Sequence, residues 1–227
     1  MFRNDSDANP LAVQYNAVAS EFDASYDNKD SNAAYFEFFP ASLQGKLVLD
    51  LGCGNGCDIT VLKQRQAYMA GIDAAKEMVT LAQRNNPNTY IKQGLFESIP
   101  FQDNSFDFVI SKWAFQTSAE IDPIYKEISR VLKINGELIY LACHPMRQFM
   151  EKNTAEKNYF KQEIFTSTFF EGRVTVKEPS HTMNDYLSPT FFKHFSLLAF
   201  KEGHDASAEK INNETYPSYF IVHAQKK

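Results

Sequence analysis

The sequence of 227 residues lacks several features that would assign it to a class at once. It holds three cysteines and no C-x-x-C pair, so we expect reduced thiols in a cytoplasmic protein and no metal site. It has no lysine- or arginine-rich run and a formal net charge of −5, which disfavours nucleic acid or an anionic membrane as partner. No apolar run reaches the roughly 18 residues of a spanning helix. The N-terminus MFRNDSDANP lacks the apolar centre of a secretory signal.

What the sequence does contain is an alternation of strand and helix patterns, with 44% hydrophobic residues to build a core. The predicted helices lie at 11–22, 35–39, 74–84 and from 122 to the Asn135-Gly136 pair. The predicted strands lie at 46–51, 68–72, 89–92, 106–111 and 137–143. Such alternation predicts an α/β fold with a doubly wound, mostly parallel sheet that is covered on both faces.

The alternation of strand and helix patterns ends after the fifth predicted strand. For 144–195 we expect helix and irregular structure, with a helix at 185–194. Two final strands, 197–201 and 219–224, would add an antiparallel hairpin at the sheet edge and bring the sheet to seven strands. We therefore expect a single domain. Its segments would be a helical cap (1–44), a ligand-binding core (45–143), an insert that covers the substrate side (144–195) and C-terminal strands (196–227).

The first predicted strand ends in VLDLGCGNG, residues 48–56, which places Gly52, Gly54 and Gly56 at alternate positions. Glycine permits positive φ and close approach of the backbone to a ligand, and the following helix N-terminus adds N–H donors. Asp73 follows Gly52 by 21 residues, where a carboxylate can accept hydrogen bonds from both ribose hydroxyls. The pattern predicts an adenosine-containing cofactor with an acidic group. Asp73 could also cap the helix that begins at Ala74, and the two roles can coexist.

Dinucleotide sites usually show G-x-G-x-x-G, whereas this chain has G-x-G-x-G with Asp50 two residues earlier. That stretch resembles the first motif of the class I S-adenosylmethionine-dependent methyltransferases. Later stretches resemble further motifs of the family in the same order: GID at 71–73, GLFESIPFQDNSFDFVIS at 94–111 and EISRVLKINGELIYL at 127–141. The resemblance covers about residues 45–143 and is closest to the small-molecule, type 11-like branch. It implies a Rossmann-like fold, S-adenosyl-L-methionine as cofactor and methyl transfer to a small-molecule acceptor.

The resemblance also implies which residues hold the cofactor. They are Tyr15, Asp50, Gly52, Cys53, Gly54, Gly56, Asp73, Ala74, Met78, Leu95, Phe96, Glu97, Ser111 and Trp113. Asp50 would reach the amino group of the methionine part, and Asp73 would bind the ribose. Met78 or Ala74 would flank the adenine, residues 95–97 would contact its edge, and the end of the fourth strand would lie near the methyl group.

Several of these positions have an equally plain structural interpretation. Tyr15 lies on the apolar stripe of the first predicted helix, where it could pack in the core or cover the cofactor. Cys53 suits a small buried residue, and Trp113 could be ordinary core. The family usually has an aspartate where this chain has Leu95, and many relatives have a histidine where it has Gln116. Glu97 could take over the missing adenine contact.

A general base is needed only if the acceptor loses a proton. The candidates are His144, His181, Tyr15 and Tyr26. His144 directly follows the fifth predicted strand, at the sheet edge where ligands bind, and His181 precedes the late helix in SHTMNDYL.

Two rival functions remain open at this level. One is a nicotinamide-dependent oxidoreductase, against which the glycine spacing and the absence of a Tyr-x-x-x-Lys pair both count. The other is a non-catalytic protein that binds the cofactor or regulates a partner, which the departures at Leu95 and Gln116 leave possible. No pattern in the sequence indicates an oligomeric state.

Overall fold

The computed structural model describes residues 9–23, 30–152, 157–170, 172–206, 208 and 213–227. Its helices are α1 (Pro10–Asp23), α2 (Asp30–Phe36), α3 (Cys57–Gln64), α4 (Lys76–Asn85), α5 (Asp122–Val131), α6 (Pro145–Glu151), α7 (Met183–Tyr186) and α8 (Pro189–His194). Its strands are β1 (Leu47–Leu51), β2 (Tyr68–Asp73), β3 (Tyr90–Gln93), β4 (Phe106–Lys112), β5 (Leu132–Cys143), β6 (Ile164–Phe169), β7 (Val174–Pro179), β8 (Phe195–Gly203) and β9 (Tyr219–Lys226). None of the described helices is long and apolar enough to cross a membrane.

Seven strands form one sheet in the order β3-β2-β1-β4-β5-β9-β8. The first five run parallel, and β9 pairs antiparallel with both β5 and β8. This confirms the predicted doubly wound sheet with an antiparallel edge hairpin. The strand order reverses between β1 and β4, and ligands of such sheets bind outside the carboxyl ends of the strands at that point. The glycine turn follows β1 directly.

The two faces of the sheet bury separate cores because side chains alternate along each strand. On β5, Leu138 and Tyr140 join the core under α5, whereas Ile139 and Leu141 join the core on the other face. The core under α5 is aromatic: the rings of Phe115 and Tyr140 stack with centroids 4.4 Å apart. A parallel sheet that is buried on both faces has strands that are apolar throughout, which is why the core strands were predictable.

The insert departs from its predicted form. Strands β6 and β7 pair antiparallel as a separate two-stranded sheet, a hairpin where we expected irregular structure. The alternation in VTVKEP is clear once the burial of β7 is known, but a charged residue on each face, Lys177 outside and Glu178 inside, hides it in the sequence. We call this element the insert hairpin.

Three predicted helix boundaries were also wrong. The late helix is divided into α7 and α8, because Ser188 caps a new helix by accepting a hydrogen bond from the N–H of Phe191. Helix α5 ends at Val131, and the Asn135-Gly136 pair lies in an irregularity of β5. Helix α2 ends at Phe36, one turn earlier than predicted.

Candidate active site

The three positions after β1 require glycine for different physical reasons. Gly52 has φ of 73°, and a Cβ there would lie 2.4 Å from the Cβ of Ala114 and 3.0 Å from the ring of Phe96. Gly56 has φ of 82°, and a Cβ there would lie 2.5 Å from the side-chain nitrogen of Asn86. At both positions the space is taken by the protein itself. For Gly52 and Gly56, packing within the chain therefore accounts for the glycine before any ligand does.

Gly54 is the exception. Its φ is 51°, and among the described residues no atom lies within 4 Å of the Cβ it would carry. Its N–H donates to Oδ2 of Asp73 at 2.9 Å, so the turn is held against the end of β2. The open space beside the turn is thus at its middle glycine, where a ligand can approach the backbone closely.

Asp73 joins the glycine turn to the segment that leads into α4. Its Oδ1 accepts the N–H of Ala75, the residue before α4, at 2.9 Å, while Oδ2 accepts the N–H of Gly54. Burial raises the pKa of this half-buried carboxyl, and the backbone N–H groups act against that rise. A carboxylate oxygen can accept more than one hydrogen bond, so both oxygens of Asp73 retain capacity for ribose hydroxyls.

Asp50 is 2% exposed, and its Oδ2 has no hydrogen-bond partner among the described residues. Burial and the charge of Asp58 raise the pKa of Asp50 well above its ordinary value, while Lys112 lowers it. Lys112 bonds to Asp58 at 2.5 Å and so does not satisfy Asp50 directly. After burial, the charges of Asp73 and Asp50 also raise the pKa of the Cys53 thiol, so both carboxylates lie near the glycine turn. A buried oxygen without a partner fits a ligand ammonium group.

Helix α1 closes over this turn through amide side chains. Oδ1 of Asn16 accepts the N–H of Glu77 at the start of α4 at 2.9 Å. The side-chain amide of Asn55, within the glycine turn, donates to the carbonyl of Phe22 at 2.7 Å. Gln14 accepts the N–H of Lys177 on the insert hairpin at 2.8 Å. The helix therefore spans from the cofactor side of the sheet edge to the insert.

Tyr15 is on α1 and is acted on by two carboxylates from other elements. Burial raises the pKa of its phenol strongly, and the charges of Glu178 and Asp73 add to that rise. The half-buried ring packs against Phe22 with centroids 5.8 Å apart and borders the small cluster that contains Met78. Tyr15 thus lies within electrostatic reach of both the end of β2 and the insert hairpin.

The residues predicted to surround the adenine take varied positions. Met78 is 2% exposed and packs under α1, and the carbonyl of the half-buried Ala74 accepts the amide of Gln93 at 3.0 Å. Leu95 is half-buried, and Glu97 is exposed, where it accepts the hydroxyl of Ser118 at 3.3 Å. Phe96 is half-buried and stacks on Phe115 with centroids 6.2 Å apart.

Ser111 and Trp113, both predicted to lie near the methyl group, have different environments at the end of β4. The hydroxyl of Ser111 is buried and donates to the carbonyl of Leu51 at 2.7 Å, so it links β4 to β1. Trp113 is half-buried and has φ of 57°, while its N–H donates to the carbonyl of Leu141 at 2.8 Å. A bulky residue at positive φ is a true outlier, and such strain is concentrated at functional sites.

The two histidine candidates differ in what their rings do. Nδ1 of His144 accepts the N–H of Met146 at 3.0 Å and caps α6, and Nε2 lies 2.7 Å from Oε1 of Glu202. Both nitrogens of His144 are engaged, so this arrangement leaves no lone pair for an acceptor. Nε2 of His181 lies 3.2 Å from the carbonyl of Gln116, and burial lowers the pKa of both histidines. Tyr26, the remaining candidate base, lies outside the described residues.

Sequence reasoning missed Glu178, on β7 of the insert hairpin. This side chain is 1% exposed; its Oε1 accepts the hydroxyl of Ser167, and its Oε2 has no partner among the described residues. Burial raises the pKa of Glu178 to about 7. The sequence held one signal for this. Side chains alternate between the two faces of a strand, and Glu178 falls on the same buried face as Val174 and Val176.

Comparison with known proteins agrees with this geometry. A family model described as a methyltransferase domain matches residues 42–193. The uncharacterized methyltransferase YcgJ of Bacillus subtilis is 27% identical over 146 residues, which are 62% of this chain and 52% of that protein. The demethylmenaquinone methyltransferase of Symbiobacterium thermophilum is 33% identical over 117 residues, 47% of this chain and 46% of that protein. The chain spans about half the length of the curated relatives it matches.

A solved structure supports the fold independently. The S-adenosylmethionine-dependent methyltransferase of Mesorhizobium loti has a TM-score of 0.68 at 18% identity and covers 85% of this chain and 96% of its own. At that identity the likeness concerns the fold alone. The family match, in contrast, extends over the glycine turn, the end of β2 and most of the insert. The chain therefore belongs to the methyltransferase domain family.

Proposed function

We propose that this chain transfers the methyl group of S-adenosylmethionine to a small-molecule acceptor held between the glycine turn and the insert hairpin. The observation that carries the proposal is the set of groups at the switch point of the sheet. The set comprises the open space at Gly54, the unpartnered buried oxygen of Asp50, and Asp73 with spare acceptor capacity. These groups match the amino and ribose ends of the cofactor.

Each residue would have a separate task. Asp50 would accept from the cofactor ammonium, and Asp73 would accept from the ribose hydroxyls while it holds the turn through Gly54. Helix α1 would cover the cofactor and exclude water, with Tyr15 at the boundary with the acceptor. When bound, the cofactor supplies an activated methyl group and a neutral leaving group. The protein's main contribution is then alignment of two reactants, which can lower the barrier by roughly 7–11 kcal/mol.

The small-molecule class of the acceptor rests on two considerations. The net charge of −5 and the absence of a basic run disfavour a nucleic-acid acceptor. One matched relative is named for methylation of demethylmenaquinone, a small molecule. The insert hairpin and α1 would enclose such an acceptor, since they meet through Gln14 at the sheet edge.

Ligand-dependent stability provides the test. S-adenosylhomocysteine, the product form of the cofactor, should raise the melting temperature by an amount that grows with its concentration relative to Kd, because it binds the folded state. NADH should leave the melting temperature unchanged. Stabilisation by NADH alone would support the oxidoreductase alternative, which the comparisons do not favour. Stabilisation by S-adenosylhomocysteine without methyl transfer to any member of a broad acceptor panel would support a non-catalytic binding protein.

A further inference from the structure

We propose that Glu178 contacts the methyl acceptor and receives the proton that an acceptor hydroxyl or amine loses on methylation; this rests on the proposed function. The acceptor heteroatom forms a bond to the methyl carbon as the sulfur–methyl bond breaks and its electron pair returns to sulfur. The proton on the heteroatom passes to the carboxylate of Glu178. No further reactant is needed for this balance.

The position of Glu178 carries the first step of the inference. Strand β7 packs against α1 and against the 3-10 turn Phe115–Thr117 that follows β4. This places Glu178 near the carboxyl edge of the sheet, where its charge and that of Asp73 both act on the Tyr15 phenol. If Asp73 holds the ribose, Glu178 would face the acceptor from the insert hairpin, which α1 joins to the cofactor side through Gln14.

The second step is the chemistry of the unpartnered atoms. Among the described residues, Oε2 of Glu178 and Oε1 of Gln116 are both buried and have no hydrogen-bond partner. The amide nitrogen of Gln116 donates to the carbonyl of Trp113 at 2.7 Å, which leaves its oxygen facing the neighbourhood as an acceptor. A ligand that brings donors would satisfy both acceptors, which matters because an unpaired buried polar group costs about 1–3 kcal/mol. The acceptor therefore carries O–H or N–H.

The third step concerns charge. The ionisable groups that face Glu178 are Tyr15 of α1, Arg147 and Glu151 of α6, and Tyr186 of α7. Arg147 is bonded to Glu151 at 2.6 Å, so it does not neutralise Glu178 directly. With the hydroxyl of Ser167 as its single close donor, Glu178 has a pKa raised to about 7, which suits proton exchange near neutral pH.

Access requires movement of the insert hairpin, because Glu178 is 1% exposed. The hairpin pairs with itself and not with the seven-stranded sheet. It can therefore shift without breaking the main ladder. Gln14, which bonds to both the N–H and the carbonyl of Lys177, would be released in that shift.

The experiment uses the full chain with S-adenosylhomocysteine bound and glutamate labelled with ¹³C at the carboxyl. The Glu178→Gln variant identifies the Glu178 signal. Phenol and benzylamine serve as donor-bearing probes, and anisole serves as the matched probe without a donor. We expect phenol or benzylamine, but not anisole, to move the Glu178 signal. With S-adenosylmethionine, methylation of the same probe should fall by about 10²–10⁴-fold in Glu178→Gln at unchanged affinity for S-adenosylhomocysteine.

Two further variants separate contact from structure. Glu163→Gln, on the same segment but paired with Lys161 at 2.8 Å, should methylate like the parent. Ser167→Ala removes a bond that lowers the pKa of Glu178, so the rise of kcat with pH should move to higher pH.

Distinct results overturn distinct claims. If the parent binds S-adenosylhomocysteine but neither donor-bearing probe moves the Glu178 signal, the contact is refuted. If a probe moves that signal but Glu178→Gln methylates as fast as the parent, or the parent methylates neither probe, the proton-accepting role is refuted. Failure of the parent to bind S-adenosylhomocysteine refutes the proposed function itself.

Discussion

Asp73 and Glu178, two carboxylates whose charges both act on Tyr15, are held in the fold in different ways. Asp73 is held by backbone N–H groups of the glycine turn and of the residue before α4. Such donors are present whatever side chains the chain carries there. Glu178 is held by one hydroxyl, on a hairpin that is separate from the main sheet. The proposed cofactor side is thus held by backbone geometry, whereas the proposed acceptor side depends on particular side chains. Under that proposal, substrate choice would change there without disturbing the cofactor.

The largest effect that sharpens this comparison concerns stability at the glycine turn. Gly52→Ala forces a positive φ on a residue with a Cβ and brings it 2.4 Å from Ala114. We expect the free energy of unfolding to fall by about 2–4 kcal/mol, from backbone strain together with overpacking. Urea denaturation measures it.

The control for that prediction is the double variant Gly52→Ala with Ala114→Gly. It removes the clash and should recover part of the loss, leaving the backbone strain. Equal instability of the single and double variants would show that Ala114 is not the obstacle.

The next effect is on cofactor affinity. Asp73→Ala removes the acceptor of the Gly54 N–H together with the proposed ribose contact, so affinity for S-adenosylhomocysteine should fall by about 1.5–3 kcal/mol, the range for hydrogen bonds to a charged group. Calorimetry measures the affinity. Glu178→Ala serves as the matched control and should bind as the parent does. A comparable loss in both variants would abolish the division between the two halves.

The third effect is the pH dependence of stability that Glu178 contributes. Because the pKa of Glu178 is raised to about 7, the folded protein retains a proton that the unfolded chain releases above its ordinary value near 4.5. Parent stability relative to Glu178→Gln should therefore decline as pH rises from about 4.5 to about 7, by about 1–3 kcal/mol. Denaturation series at several pH values measure this difference. A constant difference across that window would contradict the assignment.

The smallest effect concerns His144, which the structure places as a helix cap. His144→Ala should lower the free energy of unfolding by about 1–2 kcal/mol, as for loss of an N-cap, without lowering kcat. Burial lowers the pKa of His144, so the neutral ring stabilises the fold at neutral pH and that contribution is lost as pH falls below about 6.5. A large loss of kcat with intact stability would restore His144 as a base.

The glycine turn and the strands around it were predictable because their signals are local. Gly52, Gly54 and Asp73 stand at fixed distances along the chain, and the buried parallel strands around them are continuous apolar runs. The insert was not predictable in this way. Glu178 resembles any surface glutamate in the sequence, and its burial follows from pairing with β6 and packing against α1.

By itself, the sequence determined the order of strands and helices, the parallel sheet and the glycine turn with its partner aspartate, since these depend on periodicity and short-range spacing. Only the tertiary structure decided that Gly52 and Gly56 serve packing while Gly54 faces open space, that His144 caps a helix, and that Glu178 is buried with an unpartnered oxygen. These outcomes depend on which distant side chains meet, because burial and neighbouring donors, rather than residue type, set the chemistry of an ionisable group.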